Sequence, residues 1–297
     1  MMERYLLRYF LSVIDQGNFS KAATHCHVSQ PTLSAGIAKL ERDLRKPLFH
    51  RTNRRVELTE AGARLAPLAR RIEAEFAQAE REVTDSGQTD TIRIGILITT
   101  PTRWTETLLV ENASSIGHER VEIVEGRERD ILERLTRGRI DVALTIIREG
   151  DDRFRAMPLL TEPYGMAFPR HHRLADRQTV TPEELLGETM IVRRQCEMLA
   201  ETSRFFTAHG VRPFFSARPS EEGRALAYVR AGAGITLMPR SLAIEDLGFC
   251  ELEGFAKERR LGFSFADHTN PAQLLQRQPL QLWERFLSEQ TKLGIAR

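Results

Sequence analysis

Near the start of the chain, apolar residues recur at helical spacing. Leu6, Tyr9, Phe10 and Val13 fall at i, i+3, i+4 and i+7 and predict a helix of about three turns, ended by Gly17. Phe19, Ala22, Ala23 and Cys26 repeat the spacing on a second short helix. Ser29 is placed to cap a third, with Pro31 tolerated in its first turn. Leu33, Ile37, Leu40 and Leu44 then make one apolar stripe, and the small Ala22 and Ala23 allow a close helix approach. Leu48-Phe49 and Val56–Leu58 read as two short strands around the tip "RTNRR". Three helices followed by a basic hairpin make a winged helix-turn-helix. From Thr59, a plausible N-cap, the series Ala61, Leu65, Leu68, Ile72, Phe76, Ala79 and Val83 predicts a helix of roughly 36 Å with a coiled-coil-like stripe and Pro67 inside it. That stripe needs a partner, either the same helix of a second chain or the rest of its own chain. "TDSGQTD", residues 84–90, reads as a linker.

Beyond it the period changes. "TIRIGILI" (strand), a helix from about Thr102, "RVEIVE" (strand), "RDILERLTRG" (helix) and "IDVALTII" (strand) give βαβαβ. After "PLLTEPYGMAFP" the order recurs. "ETMIVR", a helix from about Cys196 to His209, "RPFFSA", "SEEGRALAYVRAG" and "GITLMP" follow, and the last helix around "LQLWERFLSEQTKL" is expected to return to the first half. Two similar α/β halves form a clamp with a cleft between them.

Charge is uneven. Residues 1–60 hold ten Lys/Arg against six Asp/Glu, and the remainder holds thirty-three against thirty-five. The excess suits either a polyanion partner for the N-terminal segment or a solvated basic surface. No apolar run approaches the roughly 20 residues that span a bilayer, and the charged N-terminus is unlike a secretion signal, so a cytoplasmic protein with no membrane partner is expected. Three scattered cysteines make neither a disulfide framework nor a zinc site, and Cys26, flanked by His25 and His27, reads as buried core. "AGAG" (Ala231–Gly234) precedes a strand, so it is not a nucleotide fingerprint. His171-His172 reads as a surface turn. No phosphate loop, GxSxG or metal-binding His pair is present, so no enzyme, cofactor or metal is expected.

The segments Phe-Ser-x-Ala-Ala, Ser-Gln-Pro-Thr-Leu-Ser, Ile-x-x-Leu-Glu, Leu-Phe-x-Arg and Leu-Thr-Glu-Ala-Gly follow one another without gaps between residues 19 and 62. They resemble the DNA-binding domain of LysR-type transcriptional regulators. "GRIDVALT", "PLLTEPYGMAFPRHHRLA" and "AGAGITLMP" are similar to the same family's effector domain, so the resemblance covers nearly the whole chain. It implies a multidomain fold. Residues 1–58 are a winged helix-turn-helix, 59–89 a linker and dimerisation helix with hinge, and 90–297 an effector domain like periplasmic binding proteins. The latter divides into Rossmann-like subdomain I (90–162 and 266–297) and subdomain II (163–265). The implied partners are double-stranded DNA, a second copy of the chain in a homodimer or homotetramer, and a small effector, with RNA polymerase open as a further one.

The outward face of the third helix offers Ser29, Gln30, Pro31, Thr32, Ser34 and Lys39 to DNA, and the wing offers Arg51, Arg54 and Arg55. The family often has long polar side chains after the second Ser of this helix, where Ala35, Gly36 and Ala38 stand here. That moves the expected base reading to the first turn and the wing. In the effector domain the matching strand-to-helix turns are Thr99-Thr100-Pro101 and Arg193-Arg194-Gln195-Cys196. Thr99, Thr100, Pro101, Arg193, Gln195 and Cys196 are the candidate pocket residues, and an anion suits them. Cys196, near a helix start and two arginines, has the features of a low-pKa thiol and matches the reactive cysteine of the family's peroxide-sensing branch. Its partner cysteine is absent from "EMLAETSRFFTAHG". The readings left open are a pocket-lining residue or a redox switch. From a different class, a ligand-binding clamp without a DNA role remains the alternative.

Overall fold

The computed structural model describes residues 3–51, 56–84, 91–115, 119–243 and 246–292. Residues 1–88 with 136–139 form one compact unit, and residues 89–135 with 140–297 form another.

The first unit starts with α1 (Arg4–Gln16), α2 (Phe19–His25) and α3 (Gln30–Leu44). Each boundary has a local cause. Gly17 takes φ +62° and donates its N–H to Val13 O, which ends α1. Asn18 Oδ1 accepts from the N–H groups of Ser20 and Lys21, which starts α2. Ser29 Oγ accepts from Thr32 N–H at 3.2 Å, with Pro31 in the first turn of α3. Leu6, Phe10, Val13, Leu33, Ile37 and Leu40 bury the shared face, and Cys26 packs half-buried against it.

Gly36 corrects an expectation. It lies buried on the core face, where an added Cβ would meet Tyr9 Cδ2 at 2.6 Å. The missing side chain is what lets α1 cross α3 closely.

Strands β1 (Phe49–Arg51) and β2 (Val56–Leu58) pair antiparallel, Phe49 opposite Leu58, and Glu41 ties β1 to α3 by accepting from Leu48 N–H at 2.8 Å. The wing tip with Arg54 and Arg55 lies outside the described residues, as does the side chain of Arg51.

Helix α4 (Glu60–Thr84) begins where Thr59 Oγ1 accepts from Gly62 N–H at 3.0 Å while donating to Pro47 O at 2.7 Å. Pro67 stands inside the helix. The expected single stripe is divided. Ala61, Leu65, Ala69 and Ile72 pack on the first unit's own core, whereas Leu68, Phe76 and Val83 are 55%, 46% and 80% exposed. Helix α1 packs along α4 and holds it through Arg4, which donates to Glu73 at 3.0 Å and Glu80 at 2.9 Å, and through the Asp15–Arg70 pair at 2.8 Å.

The second unit contains β3 (Ile92–Leu97), α5 (Thr102–Ser114), β4 (Val121–Gly126), α6 (Glu128–Thr136), β5 (Val142–Ile146), β6 (Arg155–Pro169) and β7 (Thr179–Val180). It continues with β8 (Thr189–Ile191), α7 (Leu199–Ala208), β9 (Phe214–Ala217), α8 (Glu222–Arg230), β10 (Thr236–Pro239), β11 (Leu247–Leu252), β12 (Glu258–Phe265), α9 (Pro271–Leu274) and α10 (Gln278–Lys292). The first half has strand order β4-β3-β5-β12-β6, with β4, β3 and β5 parallel. In the second, β9 pairs β8, a parallel bridge Met190–Ile235 joins β8 to the start of β10, and β6 lies between β10 and β11. The internal repeat read from the pattern is therefore present, one βαβαβ set on each side.

Two boundaries differ from expectation. Residues 258–265, expected in subdomain II, form β12, which pairs β5 and β6 in the first half's sheet. A late antiparallel strand has no helix to announce its return. Helix α7 starts at Leu199 and not at Cys196, because Cys196–Met198 form a turn in which Cys196 N–H reaches Arg193 O and Leu199 N–H reaches Cys196 O. Helix α10 packs on α5, with Trp104, Phe263, Trp283 and Leu287 in one buried cluster.

Candidate functional site

On α3 the structure leaves Ser29, Gln30, Pro31 and Thr32 exposed and Ser34 half-buried, while Leu33 goes to the core. The Ser29 and Thr32 hydroxyls are 2.7 Å apart, so the exposed turn is pre-ordered by its own cap. Lys39 is engaged by Glu3, to whose carboxylate it donates, and by Tyr5; the Glu3 hydrogen bond raises its pKa. It is thus a paired cation instead of the open one expected.

In the second unit the two strand-to-helix turns meet. Thr99 follows β3 and is fully buried, and its hydroxyl donates to Glu197 Oε1 at 3.3 Å, in the turn after β8. Between them lies Arg259 of β12. Its Nε donates to Glu162 Oε1 at 2.7 Å, its Nη1 to Glu197 Oε1 at 2.7 Å and to Thr99 Oγ1 at 3.0 Å. Its Nη2 donates to Ser241 Oγ at 3.2 Å and Thr99 O at 3.3 Å. All five guanidinium donors are therefore used. Glu162 of β6, itself fully buried, also accepts from Ser241 N–H at 2.6 Å and Ser241 O–H at 2.9 Å.

Burial alone would lower the Arg259 guanidinium, but Glu162 and Glu197 overcome it and hold its pKa up. Burial would likewise raise the Glu197 carboxyl, and Arg259, followed by Arg193, holds it below the usual carboxylate range.

This arrangement alters the expected roles. Arg193 is buried, donating from Nε to Glu222 at 2.6 Å and from Nη1 to Leu237 O at 3.0 Å, so it presents no open cation to the cleft. Burial pushes the Cys196 thiol up, and Arg193 only partly offsets it. The expected low-pKa thiolate is corrected, because Arg193 is committed to Glu222 and the thiol is desolvated in a half-buried turn ahead of α7. Thr100 and Pro101 are buried beside Thr99. Among the described residues, Thr100 Oγ1 and Gln195 Oε1 are buried without a hydrogen-bond partner, and Glu197 Oε2 and Tyr164 Oη make no close hydrogen bond although the Tyr164 hydroxyl neighbours Glu197. Tyr164, Glu197 and Arg259 line a cavity of about 230 Å3 that extends to Arg148 and Arg260.

Sequence reading missed Glu162, Tyr164, Glu197, Ser241 and Arg259. The available signal was a glutamate inside the apolar strand "PLLTEPYGMAF" and an arginine at the head of "RRLGFSF".

Residues 5–63 match the family described as "Bacterial regulatory helix-turn-helix protein, lysR family", and residues 85–269 match "LysR substrate binding domain". The chain belongs to the LysR family. It is a LysR-type DNA-binding transcriptional regulator with an effector-binding domain. Among similar proteins, the hydrogen peroxide-inducible genes activator of Pectobacterium carotovorum is 29% identical over 238 residues, covering 78% of each chain. The DNA-binding transcriptional dual regulator OxyR of Escherichia coli K12 is also 29% identical over 238 residues, covering 78% of this chain and 77% of that one. Such LysR relatives are regulators, not enzymes. Full-length BenM shares the fold at a TM-score of 0.52 and 22% identity, covering 99% of this chain and 98% of that one. Corynebacterium glutamicum OxyR in its oxidized form shares it at 0.50 and 23%, covering 98% and 93%. Among the described residues of this LysR-family chain, no helix is long and apolar enough to cross a membrane.

Proposed function

We propose that this cytoplasmic LysR-type regulator binds a two-fold operator as a dimer or a pair of dimers. The first turn of α3 (Ser29, Gln30, Pro31, Thr32, with Ser34) would read bases, and Arg51, Arg54 and Arg55 would hold the backbone. The exposed Leu68, Phe76 and Val83 on α4 support self-association. RNA polymerase is a further partner of such a regulator once it sits on DNA.

The effector would be a compact polar molecule with hydrogen-bond donors, bound beside Glu197 and Tyr164. The observation carrying this is the saturated Arg259 network, which leaves Glu197 Oε2 with the Tyr164 hydroxyl as a neighbour but no close hydrogen bond, at a cavity of about 230 Å3. An anion, the ligand expected from sequence, would compete with Glu197 for a guanidinium that is already neutralised. The test is a thermal-shift screen of small amines, polyols and acids. Donor-bearing compounds should raise the melting temperature of the wild type and lose that effect in Glu197→Gln and Tyr164→Phe. A rise with acids alone would overturn the assignment.

A second reading, an oxidant sensor acting through Cys196, is favoured by the relatives that are peroxide-inducible activators and by the position of Cys196 in the cleft turn. Peroxide would convert the thiol to sulfenic acid with release of water. An unmodified Cys196 and unchanged operator binding after dilute peroxide would eliminate this reading.

A further inference from the structure

The second half of the effector domain has another cavity, of about 440 Å3, between α7 and strands β8, β9 and β10. It shares no lining residue with the cleft cavity. Its volume lies within the range of small-molecule pockets, and at roughly 30 Å3 per water-sized group it holds about 15 non-hydrogen atoms.

The lining is mostly apolar and includes Met190, Phe206, Val211, Pro213, Phe215 and Leu237. Three of its hydroxyls are already committed. Thr202 donates to Met198 O, Thr207 to Ser203 O and Thr236 to Ile191 O. Among the described residues no acidic side chain lines it, but two arginines do. Arg193 is buried, and its Nη2 has no hydrogen-bond partner among the described residues. Arg212 is exposed. Glu222, paired with Arg193, neutralises one of these charges, so the cavity keeps one positive charge and a buried donor in want of an acceptor.

From this we infer that the second half carries its own ligand site, separate from the cleft, for an amphipathic carboxylic acid of roughly 10–15 non-hydrogen atoms. The apolar body lies against Met190, Phe206, Val211 and Leu237, and the single carboxylate balances the excess charge of Arg193 and Arg212. Cys196 also lines this cavity and lies next to Glu197, which lines the cleft. A ligand here therefore touches the same turn that closes the cleft network.

The test uses the full-length protein with decanoate as probe and decanol as its uncharged match, followed by calorimetry and thermal shift. Decanoate should bind with Kd below about 1 mM and raise the melting temperature in a concentration-dependent way. Ser203→Trp, which places a large side chain at the cavity from an exposed position, should weaken decanoate at least about tenfold while operator binding shows that the variant is folded. Arg212→Gln should weaken decanoate about tenfold and leave decanol unchanged. Tyr164→Phe, in the cleft, should leave decanoate unchanged, and bound decanoate should slow alkylation of Cys196. Absence of binding at 1 mM decanoate, or binding undiminished in Ser203→Trp, would overturn the site. Loss of decanoate binding in Tyr164→Phe would move the ligand to the cleft, and equal loss of both probes in Arg212→Gln would remove the carboxylate assignment.

Discussion

Replacing Arg259 by Met keeps much of the side chain's volume and removes its charge. Five hydrogen bonds go with it. Among the described residues Glu162 keeps the Ser241 hydrogen bonds and the charge of Arg103, and Glu197 keeps the hydroxyls of Thr99 and Tyr164 and the more distant Arg193. Both carboxylates stay almost wholly buried, at 0% and 7% side-chain exposure. Breaking one buried pair costs about 3–5 kcal/mol, and the loss falls in that range because two carboxylates are weakened at once while Arg103 and Arg193 still act on them.

The pH dependence fixes the mechanism. In the wild type the Glu197 pKa is depressed, so its contribution is present above the unfolded carboxylate value of about 4.3 and is lost as pH falls through the lower folded value. Without Arg259 burial prevails, the folded pKa rises above the unfolded one, and acidification relieves the penalty. The deficit of the variant relative to the wild type should therefore shrink between pH 7 and pH 5.

Urea unfolding followed by tryptophan fluorescence measures this directly. The chain has two tryptophans, and Trp104 and Trp283 both lie in the effector-domain core. Adding Glu162→Gln and Glu197→Gln to Arg259→Met should recover part of the loss. A loss below about 1 kcal/mol, or one that grows on acidification, would refute the reasoning.

Three further outcomes are expected. Gly36→Val should destabilise the first unit by about 1–3 kcal/mol through its clash with Tyr9, and Tyr9→Ala should relieve most of that; no loss on calorimetric melting would mean that α1 does not cross there. Thr59→Ala should cost about 1 kcal/mol by removing the cap of α4, whereas Thr59→Ser should retain it, as judged by the denaturation midpoint. Cys196 should react with iodoacetamide at pH 7 more slowly than an unperturbed thiol, because burial lowers its thiolate fraction, and Cys250, pushed up to about 11, should react more slowly still. Alkylation of Cys196 faster than that of a free thiol would contradict its desolvated setting.

The helices of the first unit could be read from the chain because their causes are local: Asn18, Ser29 and Thr59 cap the turns that follow them, and Leu33, Ile37 and Leu40 keep one period. Gly36 could not be read correctly. Its meaning depends on Tyr9, on a helix that crosses from elsewhere. The α4 stripe was read as one face because a regular spacing does not say which of its members meets α1. In the effector domain the repeated βαβαβ pattern was visible, but the centre of the cleft was not. Arg259 and Glu162 are 97 residues apart, and charged residues are ordinarily assigned to the surface. Cys196 misled for the same reason: Arg193 is near in sequence, yet it is spent on Glu222, 29 residues further along.

Strand β6 gives the effector domain its mechanical character. Its first part, Arg155–Pro163, is laddered to β12, and its second, Tyr164–Pro169, to β10 and β11. One hydrogen-bonded ribbon runs through both halves, so they do not hang as lobes on a slack tether. Bending that ribbon sharply would break ladder bonds, whereas winding it keeps them. The soft coordinate open to a cleft ligand is then torsion about β6, and a signal leaving the domain would do so as a small rotation of one half's outer helices against the other's.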